Sequence, residues 1–135
     1  MKIHILVDTN VIISALLGGK PRFVLFHPQF RFITVQSVYD EVFEYIPLIS
    51  KKSFVPEGEV KKGIYLLPIT IIPRGDYQMY LQKAQEIMEH IDPDDAELLA
   101  LYLSEGTYIW SQDKDFEQAQ SNIEIRLLKT EDFII

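Results

Sequence analysis

Carboxylates recur along this chain where apolar runs stop. The run Ile3–Val7 empties into Asp8-Thr9-Asn10, and Asp40, Glu41 and Glu44 follow the β-branched and aromatic stretch 30–35. Asp92-Pro93-Asp94-Asp95 stands ahead of an apolar segment, and Asp113-Lys114-Asp115 lies just past Tyr108–Trp110. Gathered carboxylates repel one another, and the chemistry that turns this repulsion to use is coordination of a hard divalent cation, Mg²⁺ or Mn²⁺. Such ions prefer carboxylate and water oxygens. Cysteine is absent, so thiolate ligands and disulfides are excluded and an ion must be held by oxygen or imidazole. The three histidines, His4, His27 and His90, share no ligand spacing and read as packing or surface residues.

Each acidic group also has a purely structural explanation. Asp8 or Asn10 can cap a helix over 11–17. An Asp cap, Pro in the first turn and two more acids complementing the helix dipole make Asp92 to Asp95 a well-written helix start. Asp113-Lys114-Asp115 suits a turn or cap leading into 116–119. In a helix over 38–46, at about 100° per residue, Val38, Val42, Tyr45, Ile46 and Ile49 define the apolar stripe. Glu41 lies at its edge, while Asp40 and Glu44 point further toward solvent, so Glu41 is the acid able to face inward. Capping does not explain why the ends of the first and fourth strands and a buried helix start all carry acids. Sheets of α/β type keep their ligand sites beyond the carboxyl ends of strands.

The elements that must position these groups alternate. A buried strand Ile3–Val7 leads into the helix over 11–17, which Gly18-Gly19 and Pro21 break. A second strand over 30–35 precedes Ser37, read as an N-cap, and the helix that Pro47 ends or kinks. The stretch 57–67 reads as a helix with Val60, Ile64 and Leu67 on one side, stopped by Pro68, and 69–72 reads as a third strand. A long amphipathic helix is predicted over 76–91. Pro93 opens another through Leu98, Leu99, Leu101 and Leu103, apolar on nearly every face and therefore buried, which Gly106 closes. Two last strands are predicted at Tyr108–Trp110 and 123–128. This alternation gives an α/β fold with a parallel sheet covered on both faces and right-handed crossovers.

With 135 residues, 47% hydrophobic and 12% aromatic, the chain can build one core, and no linker or repeat divides the single domain predicted over 1–135. Its apolar runs are too short to span a bilayer, and Met1-Lys2-Ile3-His4 reaches Asp8 before a signal-length segment builds, so a cytoplasmic location is expected. Twenty acidic residues against thirteen Lys and Arg give a formal charge of -7, which opposes a polyanionic partner. Bound divalent ions would reverse that locally, because the ion is the largest charge in its site. Ser14 lies in a helix without a nucleophile elbow, so serine-hydrolase chemistry is unsupported.

Four stretches in order resemble the acidic motifs of PIN-domain ribonucleases: Asp8-Thr9-Asn10-Val11-Ile12-Ile13-Ser14-Ala15-Leu16, then Ser37-Val38-Tyr39-Asp40-Glu41-Val42, then Asp92-Pro93-Asp94-Asp95-Ala96-Glu97-Leu98-Leu99-Ala100, then Ser111-Gln112-Asp113-Lys114-Asp115-Phe116. The similarity spans nearly the whole chain, whose size is that of the VapC-like toxins of bacterial toxin-antitoxin pairs. It implies a three-layer α/β/α PIN-like fold with a mainly parallel central sheet of four or five strands. It also implies a catalytic, metal-holding pocket of Asp8, Glu41, Asp95 and Asp113, with Asp8 and Asp113 holding the ion most directly. Asn10 and Ser111 match the supporting polar positions, and Asp115 a frequent further acid just outside. Asp95 is preferred because it directly precedes Ala-Glu-Leu-Leu-Ala, with Asp92 and Asp94 left open as alternatives. Gln112 and Trp110 depart from the family pattern, in which smaller residues or Asn are familiar near these positions.

The activity implied is Mg²⁺- or Mn²⁺-dependent endoribonucleolytic hydrolysis, in line, leaving a 5′-phosphate and a 3′-hydroxyl. The partners implied are RNA, a small antitoxin protein and a second copy of the chain, and no membrane. Lys20, Arg22 and Lys114 are candidates to guide RNA, with surface solvation as the plainer reading. Three alternatives compete: a catalytically silent PIN-like binding module; a receiver-like phosphoacceptor domain, whose acceptor Asp ends a middle strand rather than the first; and a Mg²⁺-dependent phosphatase-like hydrolase. The last wants a second Asp two residues after the first, where this chain has Asn10. The tail Phe133-Ile134-Ile135 would pack on the domain or join a dimer interface.

Overall fold

The computed structural model describes residues 2–133. Five strands, β1 (Ile3–Val7), β2 (Phe30–Thr34), β3 (Ile69–Ile71), β4 (Tyr108–Trp110) and β5 (Leu127–Leu128), form one sheet in the order β3-β2-β1-β4-β5, every neighbouring pair parallel. β1 is central because it can be buried on both faces: Ile5, Leu6 and Val7 are all inaccessible, and Leu6 sits between Ile33 on one side and Ile109 on the other. From β1 the chain builds outward through β2 and β3, then crosses back to β4 and β5 on the other side. Strand order therefore reverses between β1 and β4, and a crevice at such a switch point is where open α/β sheets bind ligands.

Helices cover both faces of the sheet in a three-layer α/β/α arrangement. α1 (Thr9–Leu16) packs against α2 (Pro21–Leu25), α3 (Gln36–Glu44) and α5 (Glu57–Leu66), with α4 (Ile46–Ser53) against α3 and α5. α6 (Leu81–Met88) packs on α7 (Ala96–Glu105), and α8 (Asp115–Ala119) follows β4. α7 is buried on most of its surface, at Ala96, Leu98, Leu99, Ala100, Leu101 and Tyr102, as its all-round apolar sequence predicts. Gly106 ends it in the left-handed conformation, φ +65, which returns its N–H to the Tyr102 carbonyl.

Several predicted elements are corrected. Ser37 does not cap α3; the helix begins at Gln36 behind Val35, whose apolar side chain has no acceptor to offer, and the Gln36 side-chain amide donates to Asp40 Oδ1 at 2.9 Å. Pro47 coincides with the end of α3 but also opens α4, tolerated there because its missing N–H lies in a first turn. Pro21 likewise starts the short α2. The helix over 76–91 is broken: two 3₁₀ turns, Arg74–Asp76 and Gln78–Tyr80, precede α6. Between them Tyr77 leaves helical geometry, at φ -127, while its ring is buried in the core, so the amphipathic phase of the sequence does not run through. The strand over 123–128 shortens to Leu127–Leu128, because the Ile125 carbonyl accepts from Gln120 Nε2 at 2.9 Å and the Arg126 N–H donates to Tyr102 Oη at 3.0 Å. Phe133 packs against Trp110 and Phe30, at centroid distances of 4.7 and 5.5 Å, while Ile134 and Ile135 lie outside the described residues. No helix among the described residues is long and apolar enough to cross a membrane.

Fully buried Thr34, at the carboxyl end of β2, donates from Oγ1 to the Val7 carbonyl at 2.8 Å and so braces the strand end that presents Asp8. Thr34→Val keeps the shape and removes the donor, and is expected to lower stability in urea unfolding by about 1–2 kcal/mol with an unchanged circular dichroism spectrum. Wild-type stability in this variant would mean that the bond braces nothing.

Candidate active site

Asp8 is both a cap and a buried acid. Its N–H carries the ladder one residue beyond β1, donating to the Trp110 carbonyl at 3.1 Å, and its extended backbone turns the chain into α1. Oδ1 accepts from the Thr9 N–H at 2.7 Å, and Oδ2 accepts from Ser111 Oγ at 2.7 Å. Ser111 Oγ in turn accepts from the Asp113 N–H at 3.0 Å, and Asp113 Oδ1 from the Asp115 N–H at 3.0 Å. Asn10 Oδ1 accepts from the Gln112 N–H at 3.3 Å, a second tie between the loops that follow β1 and β4. The loop after β4 is thus folded onto the end of β1 by side-chain bonds alone.

The tightest acidic group lies beside this pair. Asp92, Asp95 and Asp115 each bring a carboxylate oxygen within 4.8 Å of the others, and all three are half-buried. Asp92 caps the 3₁₀ turn Pro93–Asp95 by accepting from the Asp94 N–H at 3.0 Å, and Asp95 hands the chain into α7. Asp95 Oδ2 is the one buried side-chain polar atom without a hydrogen-bond partner among the described residues. Buried polar groups are ordinarily paired, so an unpaired carboxylate oxygen marks a place where something else belongs.

Proton affinities follow from this crowding. Burial pushes Asp8 up to about 6, opposed by its bonds from Ser111 and Thr9 and reinforced by the charges of Asp113 and Asp115. Asp95 is raised well above the usual carboxylate range, chiefly by burial, then by the charge of Asp8 and by the neighbouring carboxylates of Asp115 and Asp92. Asp115 is raised as well, first by its own burial. Glu41, on α3, is raised by burial and by Asp8, Asp92, Asp94 and Glu44; it shares an open cleft of about 460 Å³ with Asp92 and Asp94.

The four acids predicted for the pocket lie near one another. Asp95 is in the tight trio, with Asp115 and Asp92 rather than Asp8 and Asp113. Asp8 and Asp113 stand beside the trio, joined through Ser111; Glu41 faces it from α3; Asp94 is exposed and opens toward the cleft. Asp115 was read as lying just outside, yet its carboxylate lies with those of Asp95 and Asp92, an arrangement that spacing does not encode. The pairing of an acid with another two residues on, Asp113 with Asp115, was the available signal. The histidines take no part: His4 is 4.0 Å from Glu105, His90 is 3.9 Å from Glu89, and His27 accepts from the Gln29 N–H. Arg22 lies over the Phe23 ring, while Lys20 and Lys114 are exposed. Trp110 and Gln112, the two departures in the motif, both donate to Thr130 Oγ1, which anchors the loop to the C-terminal turn Thr130–Asp132.

A family model of the PIN domain matches residues 6–128. The chain belongs to the PIN-domain family. No curated protein sequence matches it. Its fold is similar to that of VapBC2 from Rickettsia felis bound to a DNA fragment from the promoter, with a TM-score of 0.69 and 14% identity over 94% of this chain and 98% of that one. VapBC-1 from nontypeable Haemophilus influenzae is similar at a TM-score of 0.64 and 14% identity, over 96% of this chain and 99% of that one. At this identity the likeness is one of fold. The stretch matched to the PIN domain contains Asp8, Glu41, Asp92, Asp94, Asp95, Asp113 and Asp115.

Without a cation, the raised acids work against folding. A carboxyl whose affinity for protons is higher in the folded state lends stability that is fully present below its unfolded value, near 4, and lost as pH rises through its folded value. For Asp8 that window runs from about 4 to about 6 and corresponds to on the order of 3 kcal/mol; Asp95 and Asp115 extend the loss upward. Asp95→Asn is accordingly expected to be more stable than wild type in urea at pH 8 without divalent ions, with the gap narrowing toward pH 4. A gap that widened on acidification would contradict this.

Proposed function

We propose that this PIN domain is a Mg²⁺- or Mn²⁺-dependent endoribonuclease, acting in the cytoplasm as the toxin of a toxin-antitoxin pair. The observation that carries the reading is Asp95 Oδ2, buried and unpartnered within a trio of carboxylates. Leaving such a group without hydrogen bond or counter-charge is costly, and a cation among Asp92, Asp95 and Asp115 would satisfy all three at once. The donor set fits a hard ion, being all oxygen, and its half-buried position leaves a side open for water and phosphate. When bound, the ion would supply neutralising charge to the scissile phosphate and the leaving oxygen and promote ionisation of water.

This chain's own residues do the rest. Ser111 and Thr9 hold both oxygens of Asp8 and so fix its carboxylate in one orientation. Asp113 fixes Asp115 through the backbone, and Asp92 is fixed by its cap. Glu41, with proton affinity raised and the cleft before it, is suited to take a proton from the attacking water. Positioning of this kind converts a group of acids into a site of defined geometry. The preference for RNA rests on the motif resemblance, and the toxin role on similarity to solved VapBC proteins. Asn10 accepts from Gln112 and offers no second acid beside Asp8, which disfavours the phosphatase-like alternative.

Thermal melting with Mn²⁺ and cleavage of a single-stranded RNA test the proposal together. Mn²⁺ at a hundredfold excess over its dissociation constant should stabilise the wild type by about 2.7 kcal/mol and leave Asp95→Asn unmoved. Asp8→Asn, Asp95→Asn and Asp113→Asn should each abolish cleavage with the fold intact. An active Asp8→Asn, Asp113→Asn double variant would sink the assignment, and stabilisation by Mn²⁺ without any cleavage would leave a binding module.

A further inference from the structure

A second open cleft, of about 460 Å³, lies at the carboxyl edge of the sheet where β3 ends. Ser37 and Asp40 line both it and the acidic cleft before Glu41, so the two are continuous along α3. Ile71, Ile72 and Pro73 give the second cleft an apolar side, and Arg74, Tyr77 and Glu97 give it polar groups. Tyr77 is the informative one. Its side chain is 1% exposed, yet its hydroxyl meets the cleft and forms no hydrogen bond among the described residues. Burial raises its proton affinity, the charge of Glu97 adds to this and that of Arg74 opposes it, so the hydroxyl keeps its proton and stays a donor.

Arg74 and Glu97 stand side by side, Nε to Oε1 at 3.3 Å. A guanidinium held through Nε keeps its outer N–H groups for a second partner, and the carboxylate keeps its other oxygen. Asp40 is held by the Gln36 amide at 2.9 Å and likewise has an oxygen to spare. One guanidinium against two carboxylates does not attract a phosphate, and an apolar segment would leave all these groups unpaired. A nucleobase suits both sides of the cleft, with apolar faces and an edge that carries donors beside acceptors. Guanine matches the order of the pair. Its O6 stands next to N1–H and the N2 amine, an acceptor for Arg74 beside two adjacent donors for Glu97, and no other standard base sets a ring N–H next to an amine.

We infer that this cleft is a guanine-selective subsite for the nucleotide next to the scissile phosphate, with Glu97 accepting from N1–H and the N2 amine, Arg74 donating to O6, and the Tyr77 hydroxyl paired by the base. Its place in the reaction rests on the nuclease reading; the binding of the base does not.

Two measurements on the full chain test it. Ligand-observed NMR with guanosine, inosine, adenosine and cytidine reads the base alone, with no bond to cleave. Guanosine should bind about tenfold or more tightly than adenosine and cytidine, and inosine, which lacks the N2 amine, should fall between. Glu97→Gln should close the gap between guanosine and inosine, and Tyr77→Phe should weaken guanosine about fivefold with an unchanged circular dichroism spectrum. With Mn²⁺, an oligouridylate carrying one guanosine should be cut beside it with a KM about tenfold below that of the adenosine counterpart and a similar kcat. The inference is overturned if the four nucleosides bind alike or not at all, or if Glu97→Gln leaves the guanosine–inosine gap as it was. Cleavage without base preference would keep the nuclease reading and overturn this one, making any guanosine bound the mark of a site for free nucleotide. Guanosine selectivity without cleavage of any RNA would remove the nuclease reading and leave the base contacts standing.

Discussion

The hydrogen bond from Ser111 to Asp8 ties together the ends of two adjacent parallel strands, and the acidic site depends on it. A parallel ladder fixes how β1 and β4 lie side by side but says nothing of the loops that leave them. Here the first side chain beyond each strand meets the other across the switch point, and the loop after β4 is then passed on, bond by bond, from Ser111 to Asp113 to Asp115. Orientation is transmitted from a buried, rigid sheet to a half-buried carboxylate without any regular secondary structure between them. That is how a site gains precision while remaining open to solvent.

The same bonds hold the acids close against their mutual repulsion. Asp8, Asp95 and Asp115 all bind protons more readily than free carboxyls, and in each case desolvation leads the causes, with neighbouring charge adding to it. Helix dipoles and caps relieve part of this: Asp8 faces the N–H groups at the start of α1, and Asp92 caps the turn before α7. They do not reach Asp95 Oδ2. Stability invested in the hydrophobic core, above all in central β1 and the buried α7, therefore supports an edge that would spread apart if left to itself.

Much of the fold was legible because burial writes periodicity into sequence. The central strand and α7 are apolar on all sides and were found with nearly their observed bounds. Elements whose ends are set by tertiary contact were not legible. The helix predicted over 76–91 fails because burying Tyr77 requires a turn that leaves helical phase, and the last strand shortens because Tyr102 and Gln120 claim backbone groups that would have joined the ladder. The acids were legible as a set and not as an arrangement. Order and spacing marked Asp8, Glu41, Asp95 and Asp113, but which oxygens meet depends on turn geometry, where the side chains of Asp92 and Asp113 are each directed by one hydrogen bond from a backbone N–H two residues on.

Net charge is a poor guide to this molecule, because its charges are separated. Carboxylates gather at the carboxyl edge of the sheet, where a cation would invert the local field, and lysines gather on α4 and α5. A sum of -7 averages the two and describes neither. The carboxyl edge also carries an uncompensated feature, the unpartnered oxygen of the trio. Folding alone does not explain it, since a simple substitution, an amide at the buried acid, would relieve it. Where local rules are broken without benefit to the fold, the benefit lies in what the molecule meets.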